Sequence, residues 1–306
     1  MGETKVDSSQ TFNQDMSSWI NVDSTQSHEV KKLKERYSIS DEMLTYALDK
    51  NERARVEYDP MEKALLLIFK VPNLLKKDNH YETSPMAFIL KDQHFFSFVN
   101  ERTKYVENII ERLLSDEPDQ SAASLLFHTL FLISDYYFPL VEEVDSQRIH
   151  LNQRLREKTT NKNLLALSDL EIGLVYLVTA TKQNAVLLEQ IKAQSIFSSF
   201  TDQEKEELDD ALIEAKQAVE MTKLSSEILD QLSGTYNNLL NNNLNDTMKI
   251  LTIWSLLLTI PTIVTGFFGM NMPLPFTHSE LGWIISLVIS LGLSIWLILV
   301  LWRRIR

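Results

Sequence analysis

The chain has 306 residues and a formal charge of −12 from 30 basic and 42 acidic residues, which excludes a broad basic surface for nucleic acid. It has no cysteine, so disulfides, thiolate metal sites and cysteine nucleophiles are excluded as well. Only seven glycines occur, four of them in the last 41 residues, so residues 1–250 cannot build a Walker loop or a dinucleotide fingerprint, and no nucleotide is expected as partner or fuel.

Residues 1–10 contain no apolar stretch, so no signal peptide is expected. Residues 19–22 read as a short strand, and 28–37 and 41–48 as helices. Residues 63–71 carry a Leu65-Leu66-Leu67-Ile68-Phe69 centre between Asp59-Pro60 and Pro72-Asn73, which reads as a buried strand. Residues 86–90 and 95–99 flank Lys91-Asp92-Gln93-His94 and suit a hairpin; from Tyr105 the pattern is helical. No proline and only Gly173 and Gly234 interrupt residues 140–260, which permits long helices. No histidine shows paired metal spacing, and no Ser/His/Asp set has a recognisable context, so no enzyme activity is expected.

Thr201-Asp202 followed by Glu204, Glu206 and Glu207 is a strong helix start, a capping oxygen and then acids against the positive dipole end. Apolar residues recur at Leu208, Leu212, Ala215 and Val219, then at Met221, Leu224, Ile228, Leu232 and Leu239. Nothing stops this helix before Phe268. It is predicted as one stalk about 100 Å long, which needs partners from its own chain or from copies of itself.

Charge is distributed very unevenly. From residue 251 onward there are one acid, Glu280, and three bases, Arg303, Arg304 and Arg306, so residues 1–250 carry −14 and the tail +2. Residues 250–268 and 282–302 are uncharged runs of membrane-spanning length. Lys249 precedes the first and the three arginines follow the second, while the connector 269–281 has neither Lys nor Arg. The positive-inside bias therefore places both termini in the cytoplasm of a multi-pass protein of the cell membrane, with lipid as a partner. Trp254, Trp283 and Trp302 lie near span ends, where indoles favour the interface.

Asn245, Met248, Thr252, Ser255, Thr259, Thr262 and Gly266 recur at spacings of 3 and 4 and share one helix face, which extends backward through Asn241, Asn238, Gly234, Gln231 and Glu227. Such hydroxyls can simply bond back to their own helix and let helices pack. They can also line a water-filled pore, which two spans alone cannot enclose; that reading requires an oligomer of closed symmetry.

The first span ends in Gly266-Phe267-Phe268-Gly269-Met270-Asn271. With this ending, the approach Asn245-Asp246-Thr247-Met248-Lys249-Ile250-Leu251-Thr252, a second span and a short basic tail, the chain resembles the CorA family of magnesium channels. The resemblance implies an α+β cytoplasmic domain, a long stalk helix and two C-terminal transmembrane helices, assembled as a funnel-shaped homopentamer. The segments would be a cytoplasmic α/β and helical domain at 1–200, the stalk at 201–249, a pore-lining span at 250–268, an outer loop at 269–281, a second span at 282–302 and a basic tail at 303–306. It implies passive uptake of Mg²⁺, and of Co²⁺ and Ni²⁺, with Gly269, Met270 and Asn271 as the filter and Leu251 or Met248 as a hydrophobic gate.

The resemblance further implies closure by cytoplasmic Mg²⁺ at Asp210. Its partner segment departs from the family's pattern, with Thr45 and Tyr46 in place of acids, so regulation is expected to be altered or to use Asp49. Zinc-exporting relatives share the membrane motif, so efflux is the alternative. A membrane-anchored coiled-coil signalling protein would leave the stripe unexplained.

Overall fold

The computed structural model describes residues 9–12, 17–24, 33–270 and 282–305. The chain divides into two units, Met1–Leu232 and Ser233–Arg306.

The first unit is built on a six-stranded sheet: β1 (Ser9–Phe12), β2 (Ser17–Asp23), β3 (Arg55–Asp59), β4 (Ala64–Pro72), β5 (Thr83–Lys91) and β6 (His94–Val99). The spatial order is β1-β2-β6-β5-β4-β3, with β2 and β6 parallel and the other pairs antiparallel. Seven helices follow the same numbering: α1 (Asp41–Leu48), α2 (Tyr105–Asp116), α3 (Ala122–Asp135), α4 (Tyr137–Glu157), α5 (Asn161–Ile191), α6 (Asp202–Phe268) and α7 (Gly282–Ile305). A short helical piece also covers 33–37; the rest of the helix expected from residue 28 lies outside the described residues.

The unbroken apolar run of β4 has a simple cause: both faces of the strand are covered. Leu65, Leu67 and Phe69 point into one core with Trp19, Phe88, Phe95 and residues of α2, α3, α5 and α6. Ala64, Leu66 and Ile68 point into the other, with Ile20, Phe96, Phe98 and Met43, Leu44 and Ala47 of α1. Helices on both faces remove the polar alternation that a one-sided strand would show. The hairpin between β5 and β6 is tighter than the four-residue connection in the sequence pattern. Lys91 pairs with His94, and Asp92 supplies the left-handed backbone, with φ 53°.

One edge of the sheet is completed by side chains. Strand β3 ends where Arg55 pairs with Ile68. Two residues further along β4, the Lys70 N–H donates to Asn184 Oδ1 (2.8 Å), and the Lys70 carbonyl accepts from Asn184 Nδ2 (2.7 Å) and Tyr137 Oη (2.8 Å). The Asn184 amide, 1% exposed on α5, thus takes the place of a peptide in a neighbouring strand. Two residues on again, Pro72 has no N–H to satisfy, and its carbonyl accepts from Tyr105 Oη at 2.9 Å.

Helix starts follow capping chemistry. Ser40, Ser121 and Thr160 cap α1, α3 and α5. At the start of α6, the Glu204 N–H donates to Thr201 Oγ1 (3.2 Å), and the Thr201 N–H donates to Glu204 Oε2 (2.7 Å), a reciprocal capping box. Helix α6 then runs 67 residues without a break, with Pro261 inside it.

The face that α6 buries differs from the periodicity of its large side chains. Leu208, Leu212 and Ala215 join the core as expected. Further on, the buried positions are Ala218, Thr222, Ser225 and Leu229, whereas Leu224 is 59% exposed and Leu239 47%. Small residues on α6 let single hydroxyls reach α4 and α5. Thr222 Oγ1 meets Thr181 Oγ1 of α5 at 3.0 Å, and Ser225 Oγ donates to Asp145 of α4 at 3.0 Å. Leu224 and Leu239 are left facing outward.

Candidate functional site

Four helical runs among the described residues are long and apolar enough to cross a membrane: Ala122–Glu157, Asn161–Ile191, Asp202–Phe268 and Trp283–Val300. Burial separates them. The most apolar windows of the first two are 61% and 39% buried, because these helices cover the sheet; those of the last two are 6% buried. In the second unit, Trp254, Leu258, Ile263, Trp283, Leu287, Trp296 and Leu299 all stand exposed.

Within that unit α6 has two distinct faces. Ile253, Leu257, Ile260, Pro261, Val264 and Phe268, spaced by one helical turn, are its shielded positions. Helix α7 is shielded at Ile285, Ser286, Ser290, Ser294 and Leu297. The stripe lies on the opposite face of α6: Asn245, Met248, Thr252, Ser255, Thr259, Thr262 and Gly266 are all exposed, as is Leu251 beside them. By the 100° advance per residue, the centres of the two faces are about 160° apart.

The hydroxyls on this stripe share one orientation. Thr252 Oγ1 donates to the Met248 carbonyl (2.8 Å), Ser255 Oγ to Leu251 (2.9 Å), Thr259 Oγ1 to Ser255 (2.7 Å) and Thr262 Oγ1 to Leu258 (2.8 Å). The bland property of such residues, bonding back one turn, is therefore real here. It also has a chemical result. Each hydroxyl proton is engaged with the helix, so the oxygen offers outward mainly its lone pairs. No carboxylate occurs on α6 beyond Asp246, which pairs with Lys249 at 2.9 Å.

Gly269 and Met270 close the helix: the Gly269 N–H donates to the Thr265 carbonyl (2.9 Å), and the Met270 N–H to that of Phe267 (3.3 Å). Asn271 and the connector to residue 281 lie outside the described residues, so the expected filter is described only in its first two members.

The two expected regulatory carboxylates are exposed, and a single chain gathers no group of three metal-ligating side chains among its described residues. Asp210 makes no hydrogen bond or ion pair among them, while its neighbour Asp209 pairs with Lys192. One turn on from Asp210, partial burial and then the nearby Asp135 hold Glu214 above the ordinary carboxylate range. Asp49 ends α1, and its Oδ1 accepts from the Asn51 N–H at 2.9 Å. The departures at Thr45 and Tyr46 do not suit a cation. The Thr45 hydroxyl is spent on the Asp41 carbonyl (2.7 Å), the Tyr46 phenol on Glu42 (3.2 Å), and the Arg55 guanidinium sits 3.9 Å over the Tyr46 ring.

Similarity to known proteins agrees with this geometry. A curated cobalt/magnesium transport protein CorA from Methanocaldococcus jannaschii is 24% identical over 273 residues, covering 87% of this chain and 84% of the relative. The complete structure of the CorA magnesium transporter from the same organism superposes with a TM-score of 0.78 at 22% identity, over 98% of this chain and 92% of that one. The cytoplasmic domain of ZntB from Vibrio parahaemolyticus shares the fold more distantly, with a TM-score of 0.53 at 10% identity over 75% of this chain and 88% of that one. The family model described as CorA-like Mg²⁺ transporter protein matches residues 14–304. With nearly the whole sequence covered, the chain belongs to the CorA family, whose members are divalent-cation transporters of membranes and not enzymes.

Proposed function

We propose that this protein forms a homopentameric channel for passive, potential-driven uptake of Mg²⁺, with α6 lining the pore and α7 outside it. The observation that carries the reading is the stripe, an uncharged row of outward-facing acceptor oxygens opposite the shielded face of an otherwise bare apolar helix. Mg²⁺ gives up its waters reluctantly. The protons of its bound waters point outward, and acceptor lone pairs receive them without dehydrating the ion. Carboxylates would hold the ion more tightly, and the span has none. A membrane potential of about 100 mV, negative inside, supplies about 4.6 kcal/mol to a divalent ion, so no other energy source is required.

Rings of Leu251 and Met248, both well exposed in one chain, would form a constriction that gates by dewetting, and Gly269, Met270 and Asn271 would form the outer filter. The exposed Leu224 and Leu239 supply apolar surface for contact between copies. Both termini are assigned to the cytoplasm on the charge pattern, with residues 250–268 and 282–302 as the spans.

Mg²⁺-dependent current or uptake in liposomes containing only this protein tests the function. Asn271→Ala should abolish it while the pentamer still assembles; full flux through a correctly assembled variant would remove the filter assignment. Flux that requires an imposed proton gradient and runs outward would instead establish efflux.

Regulation by cytoplasmic Mg²⁺ would draw on Asp210 and Asp49, from more than one copy, since one chain offers each carboxylate singly. Asp210→Lys should lower the sensitivity of flux to internal Mg²⁺. An unchanged response would place the sensor elsewhere.

A further inference from the structure

A cleft of about 290 Å³ opens in the first unit between α4, α5 and the connection from β4 to β5. Its polar lining comes from three places far apart in sequence: Gln147, His150 and Arg154 on α4, Asp169 on α5, and Asn79 at the tip of the connection. Leu151 and Leu170, both buried, form an apolar floor. Gln147 is engaged with Glu143, but the side chains of Asn79, His150, Arg154 and Asp169 have no hydrogen bond or ion pair among the described residues. Arg154 and Asp169 therefore line one cleft with opposite charges and do not pair with each other. Arg53, Arg112 and Arg156 also lack an ion pair among the described residues; what sets Arg154 apart is that it shares a cleft with an unpaired carboxylate of opposite charge.

The cleft is held in shape. Asp78 and Asn79 both have positive φ, 49° and 68°, which makes the tip a two-residue reverse turn closed by the Lys77–His80 bridge. Asp and Asn tolerate this region, so the turn is locally favoured, and surrounding contacts fix where it sits. Those contacts are present on both sides. The His80 ring stacks on Tyr176 of α5 with centroids 5.9 Å apart, and His80 and the Tyr81 backbone press against Gly173, where an added Cβ would come within 3.3 Å of each. On the α4 side, Glu143 accepts from Lys76 (2.8 Å), from the Tyr81 hydroxyl and from Gln147 (2.7 Å). The tip that carries Asn79 is thus fastened to both helices whose side chains line the cleft.

We propose that this cleft binds a small zwitterion of the α-amino-acid type, its carboxylate on Arg154 and His150, its ammonium on Asp169, and its apolar side chain on Leu151 and Leu170. A ligand with both charges satisfies both unpaired groups at once, and the preformed walls keep the ordering cost low. A simple anion would leave Asp169 facing it. The site lies apart from the pore stripe, and its readout is binding rather than flux.

The test is calorimetric titration of the full-length protein in detergent with L-leucine and L-glutamine, with acetate, methylammonium and inorganic phosphate as single-charge probes. At least one of the two amino acids should bind with millimolar affinity or better, while the single-charge probes do not bind. Arg154→Gln and Asp169→Asn should each weaken that binding roughly 10- to 100-fold. Both side chains lie at the surface of the cleft, and an unchanged unfolding midpoint without ligand will show that the variants fold. Three outcomes overturn the proposal: no heat from either amino acid up to about 10 mM, binding that survives both substitutions, or phosphate or acetate binding that Asp169→Asn leaves intact, which marks an anion site.

Discussion

In the first unit most large apolar side chains lie inside, and several hydroxyls join separate elements: Thr181 to Thr222, Ser225 to Asp145, Ser124 to Glu207. In the second unit the arrangement is inverted. Leucines, isoleucines and tryptophans stand outside, and the hydroxyls of Thr252, Ser255, Thr259 and Thr262 turn back on their own helix. The same residue types follow two rules because they answer to two solvents. Against water, folding hides apolar area and uses buried hydroxyls as cross-links. Against lipid, apolar area costs nothing to expose, and a hydroxyl that faces outward must be satisfied locally or meet water in a pore.

The largest effect that would break this comparison is a difference in labelling. Cysteine placed at Ser255, Thr259 or Thr262 should react with small aqueous thiol reagents in open channels, and cysteine at Ile253 or Leu257 should stay inert; the chain has no cysteine of its own to confuse the signal. Equal reaction of the two sets would mean that water follows no one face, and the stripe would then be packing chemistry alone.

A smaller effect sharpens the description of the first unit. Asn184→Ala removes both amide bonds to Lys70 and leaves a buried N–H unmet, at a cost of about 2–3 kcal/mol. The denaturation midpoint followed by the fluorescence of Trp19, which is 1% exposed in that core, measures it. A loss below about 0.5 kcal/mol would show that the site relaxes or admits water.

The smallest effect is a pH slope. Lys76, then the Tyr81 hydroxyl, hold the Glu143 carboxyl below its ordinary value near 4.5. Its stabilising contribution is therefore complete above that value and is lost as pH falls through the depressed one. Because the Glu143 side chain is about half exposed, Glu143→Gln should remove less than about 1 kcal/mol at neutral pH and flatten the acid limb of the stability profile. A profile identical to that of the unaltered protein would show the ion pair to be energetically idle.

What could be read from the sequence follows from how strongly the environment constrains each segment. Strand β4 is covered on both faces, so every position is apolar, and it reads clearly. Strand β3, Arg-Val-Glu-Tyr-Asp, is half-buried throughout at the margin of the sheet, and its charged residues disguise it. The start of α6 was legible because a capping box is a local signal. Its buried face beyond residue 218 was not, because large apolar side chains suggested a seam that close packing assigns to Ala218, Thr222 and Ser225. The stripe could be read from spacing alone; that it lies opposite the shielded face is a matter of tertiary contact, which no spacing encodes. The cleft around Arg154 and Asp169 was invisible, since Asn79, His150, Arg154 and Asp169 meet only through the fold.

The side-chain completion of β4 bears on how copies of this chain can associate. A sheet margin with free backbone donors invites a strand from another molecule, the route to aggregation. Past the end of β3 that invitation is withdrawn: Asn184 occupies both groups of Lys70, Pro72 has no donor, and Tyr105 takes the Pro72 carbonyl. In the proposed oligomer, contact between copies is thereby left to helical surfaces such as the outward face of α6. The proposed oligomer is thereby protected along β4 from open-ended association.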